Sequence, residues 1–319
     1  MRVGIAGFYG YGNCGDEAVL QAIIDEVGWE NEFIVHTPLS FNFLSSYCSK
    51  IPHVSEVRPI DDGRTDYDVY LLGGGKVDWG FGWQKLFNII AADIPVMAYA
   101  VGVQLEGKYG RFYPMFSEFI NFFDAITVRD MQSERVLHDL YANPVLTMCP
   151  AINLKIEKVS CPENMIVVCP RYLDFNSEGK SDNSEEVDWI VEQVQNEKDN
   201  VLLIPFSPTD REGRSRDLAV CKEIAQKLGG ARIFNVDPYK PRQVKYIISK
   251  CKQVISGGRY HPLVWAAAHN IPFKTFPNTS GVVKEKLDGF LEMYNTYGAE
   301  KLKIMARLNK TVFEGVTNG

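Results

Sequence analysis

The stretch Arg2-Val3-Gly4-Ile5-Ala6-Gly7-Phe8-Tyr9-Gly10-Tyr11-Gly12-Asn13-Cys14-Gly15-Asp16-Glu17 decides the fold class. A short β-forming run ends in a glycine-rich turn. The turn passes into a segment, residues 16–27, that places Val19, Ala22, Ile23 and Val27 on one helical face. Strand, glycine turn and helix in that order open a parallel α/β sheet. Gly10, Gly12 and Gly15 also match the spacing of a dinucleotide-binding turn. Two features disfavour a nicotinamide cofactor. The next strand ends at Val35-His36-Thr37, without an acid to hold a ribose, and Asp16 with Glu17 would set two carboxylates where a pyrophosphate needs bare amides. Two readings of these acids stay open: Asp16 caps the helix and both complement its dipole, or they handle a substrate.

The alternation continues outward. Strands are expected at 32–36, 69–72, 95–101, 125–128 and 144–147, with helices at 83–92, 113–122 and 131–140. Residues 149–163 hold two prolines and no clear period, and read as a linker. A second series follows, with strands at 165–169, 201–204, 232–236, 253–256 and 272–276. Its helices are expected at 185–196, 215–228, 241–251, 262–269 and 282–294, and the polar segment 176–186 reads as an exposed loop. The expected fold is α/β: two Rossmann-like domains, 1–155 and 156–319, with parallel sheets facing across a cleft. Ligands of such sheets bind at the carboxyl ends of the strands.

Composition narrows the function. The chain has 319 residues, 45% hydrophobic and 23% charged, which suits a globular protein and excludes disordered, collagen-like and coiled-coil classes. Its 34 Lys plus Arg against 40 Asp plus Glu leave a net charge of -6. That balance opposes general attraction to nucleic acid or anionic lipid, so an anionic ligand must be held locally. The apolar run 95–103 is too short to span a membrane, and no signal peptide is expected. Seven cysteines without a CxxC pair indicate a reduced, cytoplasmic protein without structural zinc. Histidines and acids lack metal-ligand spacing, so no catalytic metal is expected.

Two more glycine clusters follow expected strands. Leu71-Leu72-Gly73-Gly74-Gly75 lets a backbone approach either a ligand or another chain segment. Ile255-Ser256-Gly257-Gly258-Arg259-Tyr260-His261 sets an Arg and a His two residues apart, before an almost wholly apolar helix. A charge at the mouth of a buried helix is costly unless it has a role, although an ion pair with a capping His would also account for it. Arg129 and Arg171 stand at comparable strand ends, where they could instead form helix-end or interdomain ion pairs. An arginine fork matches carboxylate and phosphate geometry, and three arginines so placed in an acidic protein suggest a small, multiply anionic ligand. The three clusters are expected to line one interdomain cleft.

Taken together, these segments resemble the polysaccharide pyruvyl transferase family. The resemblance rests on Gly10-Tyr11-Gly12-Asn13-Cys14-Gly15-Asp16-Glu17-Ala18, Leu72-Gly73-Gly74-Gly75, Thr127-Val128-Arg129-Asp130 with Ser133, and Gly257-Gly258-Arg259-Tyr260-His261 with Ile271-Pro272. It implies a glycosyltransferase-B-like fold and transfer from phosphoenolpyruvate onto two hydroxyls of a sugar as a cyclic ketal, with phosphate released. Tyr260 stands where the family usually has leucine, Gly258 where Thr or Ser is common, and Cys149 where Asp is frequent. His261 is then the expected catalytic residue. Arg259, Arg129, Arg171, Tyr260, Gly257 and Gly258 are expected on the donor, and Asn13, Asp16, Glu17, Gly74 and Gly75 on the acceptor. The expected partners are phosphoenolpyruvate as co-substrate, with no other cofactor, and a sugar, oligosaccharide or lipid-linked glycan of cell-wall or exopolysaccharide synthesis. A cytoplasmic protein, or one peripheral to the inner face of the membrane, would meet such an acceptor. Two alternatives stay open: a nucleotide-sugar-dependent glycosyltransferase on the same scaffold, and a non-catalytic glycan-binding relative; Trp79, Phe81 and Trp83 would stack on sugar rings in either case or serve in the core or a lid.

Overall fold

The computed structural model describes residues 1–37, 51–60, 62–73, 88–103, 120–140, 142–172, 183–208, 216–279 and 281–318. Two all-parallel sheets carry the chain. The first contains β1 (Arg2–Ala6), β2 (Glu32–Thr37), β3 (Val54–Pro59), β4 (Val69–Gly73), β5 (Val96–Val101), β6 (Ala125–Val128) and β7 (Val145–Leu146) in the order β3-β2-β1-β4-β5-β6-β7. The second contains β8 (Ile166–Cys169), β9 (Val201–Leu203), β10 (Arg232–Ile233), β11 (Gln253–Ser256) and β12 (Phe273–Thr275) in the order β10-β9-β8-β11-β12. Helices are α1 (Cys14–Val27), α2 (Met131–Asp139), α3 (Ser184–Val194), α4 (Asp217–Lys227), α5 (Pro241–Ser249), α6 (Tyr260–Ala268) and α7 (Gly281–Asn318).

Each sheet starts at its middle and reverses direction once. β1 pairs with both β2 and β4, and β8 pairs with both β9 and β11. The gaps beyond β1/β4 and β8/β11 are therefore the topological switch points, where doubly wound sheets bind ligands. The central strands are apolar because both faces are covered: all of β5 and β8 is buried. In the second sheet Ile166, Val168, Val201, Leu203 and Ile255 pack with Val187, Ile190, Val220 and Ile224 of α3 and α4.

Several elements differ from the sequence reading. β3 was not anticipated, because Val54-Ser55-Glu56-Val57-Arg58-Pro59 is an edge strand with polar residues and a terminal proline, and it buries chiefly Val57 and Arg58. The expected helices at 83–92 and 113–122 fall largely outside the described residues; residues 88–91 are helical and Ile120–Phe122 form a 3-10 turn. The expected linker is half core, since Cys149, Ala151, Ile152 and Leu154 are buried and exposure begins at Lys155. α7 runs far past Tyr294, broken at Gly298, whose φ of 71° no helix accommodates.

The chain forms two compact units, and neither is one continuous half. The first comprises Met1–Gly10, Val19–Leu154 and Glu285–Gly319; the second comprises Tyr11–Ala18 and Lys155–Lys284. Both exchanged segments are held by buried polar groups. In the first unit, fully buried Asn309 of α7 donates to Met148 O (3.0 Å) and accepts from Thr147 Oγ1 (2.9 Å), and Asn153 donates to Lys303 O (2.9 Å). In the second, Cys14 N donates to Phe206 O at 2.9 Å, just beyond β9.

Glu26 of α1 accepts a 2.7 Å hydrogen bond from the Tyr99 hydroxyl of β5. Burial pushes its carboxyl up from 4.5 to about 8, with Tyr99 and Asn153 opposing the rise and Asp25 adding to it. Below about pH 4.5 the group is protonated folded or unfolded; above that the unfolded chain loses the proton first. Its stabilisation is thus complete in acid and is lost as pH rises through about 8, at up to about 1.4 kcal/mol per pH unit. Urea unfolding of wild type between pH 5 and 8 is expected to show stability falling with this slope superimposed, and Glu26→Gln to remove it. An unchanged slope in the variant contradicts the assignment.

Candidate active site

At the second sheet's switch point, β8 runs into Pro170-Arg171 and β11 into Gly257-Gly258-Arg259. Gly257 N donates to Cys169 O at 3.0 Å, which closes the two turns on each other. Arg171 N donates to Glu186 Oε1 (2.8 Å), and Asn183 Nδ2 donates to Arg171 O (2.7 Å). The diglycine permits this closeness. A Cβ on Gly257 would collide with the Glu186 carboxylate, and Gly258 has φ +95°, with Thr279 and Val283 methyls 3.3 Å from where its Cβ would be.

One carboxylate organises the arginine. Asp217, the first residue of α4, has no exposed surface; its Oδ1 accepts from Tyr172 N (2.9 Å) and from Nη2 of Arg259, and its Oδ2 accepts from Ser207 N (2.9 Å). Arg259 is further set by Ser256, whose Oγ accepts from Arg259 N and donates to Arg259 O, both at 2.8 Å. The guanidinium stays partly accessible, its side chain 16% exposed, and its Nε has no hydrogen-bond partner among the described residues. Helix α6 starts at the next residue, and the side chain of its N-cap residue, Arg259 itself, makes no capping hydrogen bond. A guanidinium beside a helix N-terminus suits an anion.

His261 is the second residue of α6, inside the helix rather than before it. Its ring is buried, edge-on to Tyr260 (centroids 5.2 Å apart) and tilted against Trp265 (6.5 Å). It also meets the first turn of α1: a Cβ on Gly15 would collide with Nδ1 and lie 2.6 Å from Cγ. The glycines of this segment serve local ends. Gly10 and Gly12 take positive φ (84° and 69°), and Gly15 leaves room for the imidazole. The cap of α1 is Asn13, not Asp16: Asn13 Oδ1 accepts from Gly15 N (3.1 Å) and its carbonyl accepts from Glu17 N (3.1 Å). Asp16 and Glu17 are buried in the first turn. Burial, reinforced by Glu17, Asp237 and Asp16, pushes the Cys14 thiol far above its ordinary range, which opposes the thiolate form.

The structure thus gathers Arg171, Gly257, Gly258, Arg259, Tyr260, His261, Asn13, Asp16 and Glu17 in the second unit. Arg129 belongs to the first, where it is fully buried, 3.8 Å from Asp130 Oδ2 and packed on Gly102. Asp130 Oδ1 caps α2 by accepting from Ser133 N (2.7 Å) and from Ser133 Oγ (2.8 Å). Gly73 makes room for chain rather than ligand, since its Cβ would lie 2.7 Å from Ile23 and 3.1 Å from the Tyr9 hydroxyl. Gly74, Gly75, Trp79, Phe81 and Trp83 lie outside the described residues. Sequence reasoning missed Asp217 and Glu186. The available signal was position: each is an acid in the first turn of a helix that follows a strand of the second series.

Residues 13–280 match the family described as Polysaccharide pyruvyl transferase. No curated protein matches the chain in sequence. Among solved structures, UDP-GlcNAc 2-epimerase from Neisseria meningitidis bound to UDP-GlcNAc is similar at 13% identity and TM-score 0.54, covering 99% of this chain and 99% of that one. UDP-GlcNAc 2-epimerase from Methanocaldococcus jannaschii is similar at 9% identity and TM-score 0.56, with 100% of both chains covered. The glycotransferase of kitacinnamycin is similar at 8% identity and TM-score 0.52, covering 99% of this chain and 94% of that one. These likenesses show the fold, which is glycosyltransferase-B-like.

The Gly15 contact gives a direct expectation. Gly15→Ala should displace the His261 ring and lower stability by about 1–3 kcal/mol, the usual effect of overpacking. Gly315→Ala, on α7 with open space at its Cβ position, should be neutral or stabilising by up to about 1 kcal/mol. Chemical denaturation of both variants, with the imidazole shifts of His261 followed by NMR, checks this; unmoved His261 resonances in Gly15→Ala would refute the contact.

Proposed function

The chain belongs to the polysaccharide pyruvyl transferase family, and on that premise we propose that it builds a cyclic pyruvate ketal on a sugar of a polysaccharide, cell-wall or glycan precursor, with phosphoenolpyruvate as donor. The observation that carries this reading is the turn at Arg259 and His261, where a guanidinium and an imidazole stand two residues apart and Arg171 lies across the switch point. Phosphoenolpyruvate carries a carboxylate and a phosphate on three carbons. Two guanidinium groups and the N-terminus of α6, which the Arg259 side chain leaves without a capping bond, match such a ligand.

In this reading Arg259 and Arg171 hold the donor. Arg171 is taken as the second contact in preference to Arg129 because it shares a unit with Arg259. A proton adds to the methylene carbon, a sugar hydroxyl adds to C2 and gives up its proton, and the bond from C2 to the phosphate oxygen breaks. A second hydroxyl of the same sugar then adds to C2 and loses its proton. The products are a ketal bearing a methyl and a carboxylate, and inorganic phosphate. His261 moves one of these protons, and the arginines stabilise the departing phosphate. Asp16 and Glu17, which follow Gly15 in the first turn of α1, are assigned to the acceptor hydroxyls. The acceptor is a free sugar, an oligosaccharide or a lipid-linked glycan at the cytoplasmic face of a membrane. Among the described residues no helix is long and apolar enough to cross one.

Incubation with phosphoenolpyruvate and a panel of sugars should release phosphate and give an adduct with the mass of a ketal. Consumption of a nucleotide sugar with phosphoenolpyruvate left intact would replace this reading with the glycosyltransferase one. Arg259→Ala should weaken donor use by about 2–5 kcal/mol, the usual effect of losing a desolvated charged bond, seen in the Michaelis constant. His261→Ala should lose about 10²- to 10⁴-fold in turnover while donor binding changes far less. Near-normal turnover in the second variant would refute the proton-transfer role.

A further inference from the structure

The arginine site contains a second acid that neither the family resemblance nor the reaction above uses. Glu186 sits in the first turn of α3 with 1% of its surface exposed. Its Oε1 accepts from Arg171 N (2.8 Å) and lies against Gly257, so the carboxyl is wedged between the turns that carry the two arginines. Its Oε2 is buried and has no hydrogen-bond partner among the described residues. A carboxylate with one oxygen so placed is poorly stabilised, whereas a carboxylic acid leaves no charge to satisfy.

The charges facing it come from three elements besides its own. Arg171 follows β8, Arg259 follows β11, and Asp217 with the Cys221 thiol belongs to α4; its helix neighbour Glu185 is exposed. Asp217 accepts from three donors and pairs with Arg259, which offsets one of the two positive charges. With Glu186 ionised the cluster is neutral; with Glu186 protonated it carries one net positive charge. A bound dianion favours the second arrangement, because it repels an ionised carboxylate between its two arginines.

We infer that Glu186 is a positioning residue that sets the charge of the anion site, taking a proton on Oε2 when the donor binds and releasing it when the product leaves. The inference rests on the phosphoenolpyruvate reading above. Burial, aided by Asp217 and opposed by the Arg171 amide and both arginines, pushes this carboxyl up to about 8, which places the exchange within reach of ordinary buffers. A bound anion raises it further. Above about pH 8 donor binding therefore takes up a proton, and affinity falls as pH rises, by about tenfold per pH unit at most.

Isothermal titration of wild type with phosphoenolpyruvate, in buffers of different ionisation enthalpy, measures the proton count directly. Uptake approaching one proton at pH 9, together with a Michaelis constant for phosphoenolpyruvate that rises between pH 7 and 9.5, is the expected result. Glu186→Gln, a neutral isostere, should flatten that profile and bind phosphoenolpyruvate about tenfold more tightly than wild type at pH 9.5. A pH-independent affinity with no proton uptake in wild type overturns the role of Glu186 and leaves the donor assignment intact. Failure of phosphoenolpyruvate to bind at any pH, with uridine diphosphate binding instead, removes both.

Discussion

The carboxylate of Asp217 holds together the strand ends around Arg259. Its two oxygens accept from the backbone after β8, the backbone after β9 and the side chain that follows β11. Three strand ends that would otherwise terminate in independent loops are tied to the first residue of one helix. The arrangement is favourable twice over. An acid at a helix N-terminus complements the helix dipole, and a fully buried carboxylate is tolerated because every donor it meets is a hydrogen bond. The Arg259 side chain is oriented as a consequence.

Glycine follows a similar logic throughout. Gly257 yields its side-chain space to Glu186, Gly15 yields it to His261, and Gly73 yields it to Tyr9 and Ile23. In the first two cases the space goes to a group with acid-base chemistry, and in the third to core packing. The two switch points thus differ in content. Beyond β1 and β4, Tyr9 packs against Gly7 and Gly73, and the one beyond β8 and β11 is lined by arginines, acids and an imidazole. Arg129 follows the pattern of the first: a charged residue at a strand end, enclosed beside Asp130 and beneath Gly102.

The class of fold is legible in the linear pattern. Alternating β-branched runs and amphipathic stretches are local properties, and they placed eleven of the twelve strands within a residue or two, apart from shorter pairing at β7 and β10. The glycine turns and Arg259 with His261 were legible for the same reason, since each is a contiguous motif. Tertiary structure decided the rest. β3 is stabilised by pairing with β2 more than by its own composition, so no periodicity announced it. Glu186 sat in a polar segment that reads as solvated, yet α3 buries it, because packing against the second sheet determines which side of a helix meets water. The segments Tyr11–Ala18 and Glu285–Gly319 joined units remote from their neighbours in sequence through hydrogen bonds such as Cys14 to Phe206 and Asn309 to Met148. Burial of a polar group depends on partners far along the chain. A linear pattern records which residues prefer the interior, but not which distant donors will be there to meet them.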